Sequence, residues 1–121
     1  MLLSMLKSKI HDARVTDANR DYEGSLTIDQ DLMDAVKMIP YEKILVANID
    51  NGQRFETYAI AGPRGSGTIC LNGATAHRGK KGDRVTIFSF CGLTAEEAPA
   101  HRPLIIRLDR SNRPTGGLRP I

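Results

Sequence analysis

Apolar and β-branched residues come along the chain in short runs that alternate with polar residues, and Gly, Pro, Asn and Asp separate the runs at short intervals. This pattern is typical of β-strands that bury one face. It predicts strands at residues 7–16, 25–28, 44–50, 53–60, 68–71, 84–91 and 103–108. With many short strands and little helix, the chain is predicted to be mainly β and to form a closed or nearly closed barrel.

Two short helices interrupt the strands in this prediction. Asp29 can cap a helix over residues 30–38, and Pro40 would end it. The apolar face of that helix consists of Leu32, Val36 and Ile39. A second helix is predicted after Thr94, because Thr94 and Glu97 have the spacing of a capping box.

Two glycine-containing segments predict connections between strands. Asn51-Gly52 lies between two β-prone runs and indicates a hairpin, because both residues tolerate a positive φ. Residues 62–67 form a Gly-rich loop that matches a phosphate-binding loop only in part, since Thr68 stands where that pattern requires Lys. A flexible hairpin connection is therefore the favoured interpretation of this loop.

The length of 121 residues predicts a single domain spanning 1–121, without internal repeats. A chain of this size builds one modest core, which oligomerisation would help to stabilise. The tail at 109–121 is rich in Arg, Pro and Gly. We expect this tail to be flexible and to lack structure of its own.

Composition limits the class of protein. Hydrophobic residues make up 40% and charged residues 26% of the chain, as in globular domains. The net charge of +3 favours anionic partners, with nucleic acid and a small carboxylate as open alternatives. Cys70 and Cys91 lie in apolar stretches and are expected to be buried, reduced thiols. Because neither a signal sequence nor a membrane-spanning run is found, we expect a cytoplasmic protein.

The histidines and aromatic residues argue against two kinds of site. His11, His77 and His101 have no metal-ligand spacing with one another or with the cysteines, so no metal is expected. Aromatic residues make up only 5% of the chain and Trp is absent, which disfavours a stacking surface for single-stranded nucleic acid.

Gly24-Ser25 has the most distinctive chemistry, in the context Tyr22-Glu23-Gly24-Ser25. A turn before a strand is the plain alternative, and Gly65-Ser66 is a second pair of this kind. A Ser hydroxyl can attack the preceding carbonyl when the backbone is strained, and Gly leaves that carbonyl unshielded. The amide becomes an ester, and β-elimination then cuts the chain. The resulting dehydroalanine hydrolyses to a pyruvoyl group and ammonia.

Several segments together are similar to the precursor of the pyruvoyl-dependent aspartate 1-decarboxylase family. They are residues 5–11, 22–25 and 28–32, the pair Asn51-Gly52 followed by Arg54 and Thr57-Tyr58, and Asn-Gly-Ala-Thr-Ala-His at 72–77, in matching order across residues 1–108. The resemblance implies a double-psi β-barrel and a homotetramer with active sites between subunits. It also implies conversion of L-aspartate to β-alanine and CO2, a step toward pantothenate.

The resemblance assigns roles to residues of this chain. Cleavage at Gly24-Ser25 would give chains 1–24 and 25–121, and Ser25 would become the covalent pyruvoyl cofactor. Lys9 and Arg54 would meet the substrate carboxylates, and Tyr58 would donate the proton. The other implied residues are Thr57, Gly73, Ala74 and Thr75 at the substrate, and His11, Tyr22 and Asn72 in support.

Strand periodicity supports part of this assignment. Lys9 and His11 are two residues apart, and Arg54 and Tyr58 are four apart, so each pair shares a face. Thr57 should face away from Tyr58 unless the strand bulges or the two serve different sites across a subunit interface. The spacing does not bring Lys9 to Arg54; only the family pattern does.

Three positions depart from the family's usual residues. Thr75 stands where Ala is usual, and Asp12 and Leu3 stand where basic residues are usual. We expect these changes to affect substrate affinity and processing rate, and not the reaction class.

A maturation factor is a further candidate partner, alongside L-aspartate. The alternative function is a small basic β-barrel that binds nucleic acid without chemistry, which would stay one chain on a denaturing gel.

Overall fold

A computed structural model describes residues 1–117, and eight strands of this part form one sheet in the order β2-β6-β3-β5-β4-β7-β1-β8. The strands are β1 Leu2–Arg14, β2 Asp17–Asn19, β3 Ser25–Asp29, β4 Lys43–Asn48, β5 Arg54–Gly62, β6 Ile69–Asn72, β7 Arg84–Thr94 and β8 Leu104–Arg107. The remaining elements are helix α1 (Gln30–Ala35) and the 3-10 turns Gly73–His77 and Ala98–Ala100. The predicted mainly β fold is confirmed. No helix in this part of the chain has the length and apolarity of a membrane span.

The sheet closes into a small barrel because of where β1 and β2 lie. They are six strand positions apart in the sheet order, which corresponds to roughly 29 Å at about 4.8 Å per strand. Only Val15 and Thr16 connect the two strands. A connection this short spans at most about 11 Å, so the sheet must curl until its two ends approach each other.

The register of strand pairing aligns interior side chains of neighbouring strands in rows across the sheet. Ile10 pairs with Ile87, which pairs with Val46, and all three are fully buried. Leu26 and Ala59 form a second buried pair, between β3 and β5. Since side chains alternate between faces along a strand, these rows also determine which neighbouring residues face outward.

Helix α1 is shorter than predicted, and it ends at Ala35. Lys37 adopts a φ of 56°. The Met38 N–H donates to Met33 O at 2.9 Å, which closes the last turn as in a Schellman motif. The usual glycine signal for such an ending is missing from the sequence. Ile39 was predicted on the apolar face but is 65% exposed, because the helix has already ended.

The Gly-rich loop at 62–67 is not the hairpin that the sequence predicted, because β3 lies between β5 and β6. The loop instead surrounds the buried carboxylate of Asp29, which also caps α1 as predicted. The N–H groups of Gly65 and Gly67 donate to Asp29 Oδ1 and Oδ2 at 3.1 and 2.8 Å. An internal carboxylate therefore occupies the backbone donors that a phosphate would need.

Two other predicted connections are present with altered lengths. β4 and β5 form the antiparallel hairpin, and Gly52 has a φ of 76°. The turn is longer than two residues, because the Asn48 side chain accepts two of its N–H groups. Thr94 and Glu97 form both hydrogen bonds of the capping box, at 2.9 and 3.2 Å. The element that follows is only a 3-10 turn, since one of its residues is a proline.

The chain after 108 has more structure than expected. Asn112 is buried and accepts a hydrogen bond from Arg14 N at 2.8 Å. Its Nδ2 donates to Gly67 O, also at 2.8 Å. Residues 109–117 are therefore held against the barrel by hydrogen bonds to the ends of other segments. The rest of the predicted flexible tail, 118–121, lies outside the described residues.

Candidate active site

Ser25 lies at the start of β3, between β5 and β6, and is 1% exposed. Its antiparallel partner on β6 is Asn72. Leu26 pairs with Ala59, so Ser25 is level with Tyr58, the residue before Ala59. Three predicted site residues are thus neighbours on three adjacent strands.

The Asn72 amide holds the Ser25 hydroxyl. Its Nδ2 donates to Ser25 Oγ at 3.0 Å and to Thr27 Oγ1 at 2.8 Å. Its oxygen accepts from the Cys70 thiol at 3.2 Å, and burial raises the pKa of that thiol, which keeps the donor proton in place. Sequence reasoning missed Thr27 and Cys70. A signal was available, because each lies two positions along a strand from a predicted site residue.

Two further contacts surround Ser25. Its hydroxyl donates to Glu23 O at 3.3 Å. Thr75 Oγ1, which is also buried, lies 3.2 Å from Ser25 O and 2.6 Å from Asn72 O. The resemblance places Thr75 at the substrate, and the structure adds a contact of its side chain with Ser25 O. The Ser25 hydroxyl is therefore oriented by neutral groups and not by a charged base.

Gly73 packs against the segment that precedes Ser25. It has a φ of 62°, and a Cβ atom there would lie 2.8 Å from Tyr22 O. The Tyr22 side chain is half exposed, and Ala74 is exposed. A Cβ at Gly24 would have no atom within 4 Å. The Gly24-Ser25 peptide therefore has one open side and one buried side.

Arg54 and Tyr58 share a face of β5, as predicted. No register shift interrupts the pairing of β5 with β4, so residues four apart point the same way. Arg54 is exposed and has no ion pair within the described residues. The Tyr58 ring lies 6.4 Å from the Tyr41 ring, centroid to centroid. This face offers a guanidinium and a phenol on the strand next to Ser25.

Thr57 faces the other side of β5. It pairs with Ile44, a core residue. The regular register excludes the bulge that would have brought Thr57 and Tyr58 to one face. Thr57 therefore does not share the face of β5 that carries Arg54 and Tyr58.

Lys9 and His11 lie on β1, which is four strand positions from β3 in the sheet order. Lys9 Nζ lies 5.7 Å from the centroid of the Phe88 ring. His11 Nε2 is 3.5 Å from Asp12 Oδ2. Burial lowers the pKa of His11, and the Asp12 charge opposes this in part. In the described part of the chain, no hydrogen bond, ion pair or ring contact joins Lys9 or His11 to Ser25, Asn72 or Tyr58.

The face that carries Arg54 and Tyr58 is open in the described chain. A cavity of about 470 Å³ is lined by residues of other loops, among them Arg14, Lys81 and Arg110, and by no predicted site residue. Arg54 is exposed and Tyr58 is half-buried. Solvent therefore reaches the face of β5 that lies next to Ser25.

Comparison with known proteins gives a consistent result. A model of the aspartate decarboxylase family matches residues 1–115. The chain is 54% identical to aspartate 1-decarboxylase of Clostridium kluyveri over 112 residues, 93% of this chain and 88% of that protein. It is 55% identical over 113 residues to the protein of the same name from Caldicellulosiruptor saccharolyticus, with the same coverage of both chains. The aspartate 1-decarboxylase of Syntrophobacter fumaroxidans is 56% identical over 110 residues, 91% of this chain and 89% of that protein.

Proposed function

Because the chain belongs to the aspartate decarboxylase family, we propose that it makes a pyruvoyl cofactor from its own Ser25 and uses it to convert L-aspartate into β-alanine and CO2. The chain is an enzyme, a carbon–carbon lyase that decarboxylates aspartate, and its product belongs to pantothenate biosynthesis. The alternative of a barrel that binds nucleic acid without chemistry is not favoured.

One observation carries the cofactor proposal: Asn72 fixes a buried Ser25 hydroxyl directly after an exposed Gly24. Ser25 Oγ adds to the Gly24 carbonyl carbon, the C–N bond between the two residues breaks, and an ester forms with a free Ser25 amine. The Ser25 Hα is then released to solvent and the Cβ–Oγ bond breaks, which frees 1–24 as a carboxylate. Water replaces the nitrogen of the remaining group, ammonia leaves, and 25–121 carries the pyruvoyl group.

The surroundings of Ser25 fit such a group. A pyruvoyl group supplies a ketone for the substrate amine and an adjoining carbonyl that accepts electrons as CO2 leaves. Its two oxygens need hydrogen-bond donors. Thr75 Oγ1 lies 3.2 Å from Ser25 O, which the group retains as its adjoining carbonyl. Asn72 Nδ2 contacts Ser25 Oγ, which leaves with 1–24, so this donor acts before the group is complete. Donors that are fixed in advance stabilise developing charge without reorganisation.

The substrate contacts are assigned to β5 and to the 3-10 turn after β6. Arg54 holds a carboxylate of aspartate, since its guanidinium is suited to bidentate binding and has no competing ion pair in the described chain. Tyr58, level with Ser25, gives a proton to the carbon that CO2 leaves. The backbone of 73–75 borders the substrate. Thr57, Tyr22 and His11 support the site.

Lys9 enters the site from a neighbouring subunit of a homotetramer in this proposal. The support is its position on β1, four strands from β3. Co-expression of Lys9→Ala and Ser25→Ala chains tests this, because each is inactive alone but together they supply one complete site. Recovered activity in the mixed assembly is the expected result. No recovery, with mixed assemblies present, would place Lys9 and Ser25 in the same subunit.

The cofactor proposal is tested with the two Gly-Ser pairs. Intact mass of the purified chain should show fragments 1–24 and 25–121, the second without a free amino terminus. Ser25→Ala should stay folded, uncut and inactive. Ser66→Ala is the matched control and should be cut normally. Cleavage after Gly65, or β-alanine formation by Ser25→Ala, would refute the assignment.

The proposal also covers the cellular location of the protein and its need for a maturation factor. A cytoplasmic location is supported by Cys70 and Cys91, which are half-buried free thiols in the structure rather than the fully buried ones expected. A maturation factor is supported by the neutral contacts of the Ser25 hydroxyl, since a serine nucleophile usually needs a base. Prolonged warm incubation of the purified precursor tests whether a maturation factor is needed. Cleavage of the precursor alone would show that it is not.

A further inference from the structure

Thr75 places a hydroxyl between two carbonyl oxygens beside the cleavage site. Its Oγ1 lies 2.6 Å from Asn72 O and 3.2 Å from Ser25 O, and both contacts are buried. The bond to Asn72 O, three residues earlier, is the ordinary back-bond of a threonine in a helical turn. The contact with Ser25 O joins segments that are 50 residues apart.

One hydroxyl proton serves two acceptors here. In the uncut chain, the shorter distance assigns the proton to Asn72 O. Rotation of the O–H group alone redirects it to Ser25 O, because the same Oγ1 reaches both oxygens. Thr75 can therefore donate its proton to Ser25 O when that oxygen becomes negatively charged, without a change of side-chain rotamer.

We propose that Thr75 is a catalytic residue of self-cleavage, which donates to Ser25 O while the Ser25 Cα–H bond breaks. This rests on the proposed function. In that step the Hα is released to solvent, and the electron pair of the Cα–H bond delocalises onto Ser25 O. It then forms the Cα–Cβ double bond as the Cβ–Oγ bond breaks and the Gly24 carboxylate leaves. A donor aimed at the oxygen that becomes negative lowers the barrier to this step.

The neighbouring groups do not take this role. The Asn72 Nδ2 group already donates to the hydroxyl oxygens of Ser25 and Thr27. No other side chain in the described part of the molecule donates to Ser25 O. Since the Ser25 hydroxyl and the Gly24 carbonyl form the ester without Thr75, the Thr75 hydroxyl changes the rate of elimination and not whether the chain can be cut.

The test follows precursor variants by intact mass with and without mild, neutral hydroxylamine, which cuts the ester after Gly24. Harsher treatment would also cut the Asn51-Gly52 and Asn72-Gly73 peptide bonds, so the release of 1–24 is what reports the ester. Thr75→Val removes the hydroxyl at nearly constant volume, and Thr75→Ser keeps it. Thr75→Ala replaces the valine variant if circular dichroism shows a disturbed fold. We expect elimination to slow about tenfold to hundredfold without the hydroxyl, between the net effect of a neutral hydrogen bond and that of an oxyanion donor. The ester should accumulate, and the serine variant should behave like the unchanged chain.

Two results would overturn the role of Thr75. One is an unchanged rate in the variant that lacks the hydroxyl, with no ester present. The other is slow cleavage without ester, because the defect would then lie in ester formation. Failure of the proposed function looks different, since the unchanged chain would then remain uncut at Gly24 even in a cell extract that supplies any maturation factor.

Discussion

Gly73 lies so close to Gly24 that a Cβ atom added to Gly73 would be 2.7 Å from both the N and the Cα of Gly24. Contacts this short with backbone atoms cannot be relieved by a side-chain rotation. Gly73 also has a φ of 62°, which costs other residues about 1–2 kcal/mol. The turn after β6 can therefore support the cleavage loop only with glycine at this position.

Gly73→Ala should displace the loop before Ser25 and strongly reduce cleavage, as measured by the fraction of cut chain over time. Gly82→Ala is the matched control. Gly82 has a φ of 93° and open space around its Cβ position, so this variant carries the backbone strain without the collision. It should lose about 1–2 kcal/mol of the free energy of unfolding and still be cut. Normal cleavage in Gly73→Ala would show that the close approach is not required.

Arg54→Lys keeps the positive charge but loses the planar, two-pronged contact with a carboxylate. Charge-assisted hydrogen bonds contribute about 1.5–3 kcal/mol, so KM for aspartate should rise about tenfold to hundredfold. Steady-state kinetics on fully cut protein measure this. Arg64→Lys is the control, because Arg64 pairs with Asp31 and Asp34 elsewhere on the surface. An unchanged KM would make Arg54 an ordinary surface residue.

Tyr58→Phe separates cofactor formation from catalysis. The ring remains, and Gly24 and Ser25 are untouched, so cleavage should proceed and borohydride should still attach substrate to the cut chain. The missing phenol removes the proton donor, and kcat should fall about 10²–10⁴-fold. Tyr41→Phe removes a phenol from the neighbouring ring and should be nearly neutral. Full activity in Tyr58→Phe would show that another group donates the proton. An uncut Tyr58→Phe chain would show that Tyr58 acts in self-cleavage.

Asp12→Asn should lower the pKa of His11 further. Burial already lowers this pKa below 6.5, and the Asp12 charge is the influence that raises it. Asn also tolerates the φ of 61° at this position. Titration of the His11 ring by NMR measures the shift, and His11→Gln identifies its signals. A higher pKa in the variant would contradict the contact.

The same shift predicts how stability depends on pH. With a lowered pKa in the folded chain, the unfolded chain binds the His11 proton first as the pH falls below 6.5. The His11 contribution to stability is therefore complete above 6.5 and is lost as the pH falls toward the folded pKa. In Asp12→Asn the His11 pKa of the folded chain is lower still, so the loss of stability should extend to a lower pH. Denaturant midpoints between about pH 5 and 8 measure it, and His11→Gln should remove the difference.

Local features of the fold could be predicted from the sequence, because they depend on residues close together in the chain. Alternation of apolar and polar residues located seven of the eight strands and missed the three-residue β2. Asp29 was identified as a helix cap, and Thr94 and Glu97 as a capping box. The shared face of Arg54 and Tyr58 followed from strand periodicity alone. Gly24-Ser25 could be singled out because its chemistry needs two adjacent residues.

Tertiary structure alone decided the features that join distant segments. Because β3 lies between β5 and β6, the loop at 62–67 crosses over β3 and is not a hairpin. Its backbone N–H groups donate to the Asp29 carboxylate. The same order of strands set Lys9 four strand positions from Ser25. The contact of Thr75 Oγ1 with Ser25 O spans 50 residues. Such contacts depend on which strands pair and in which register, and hydrophobic periodicity specifies the buried face of a strand but not its partner.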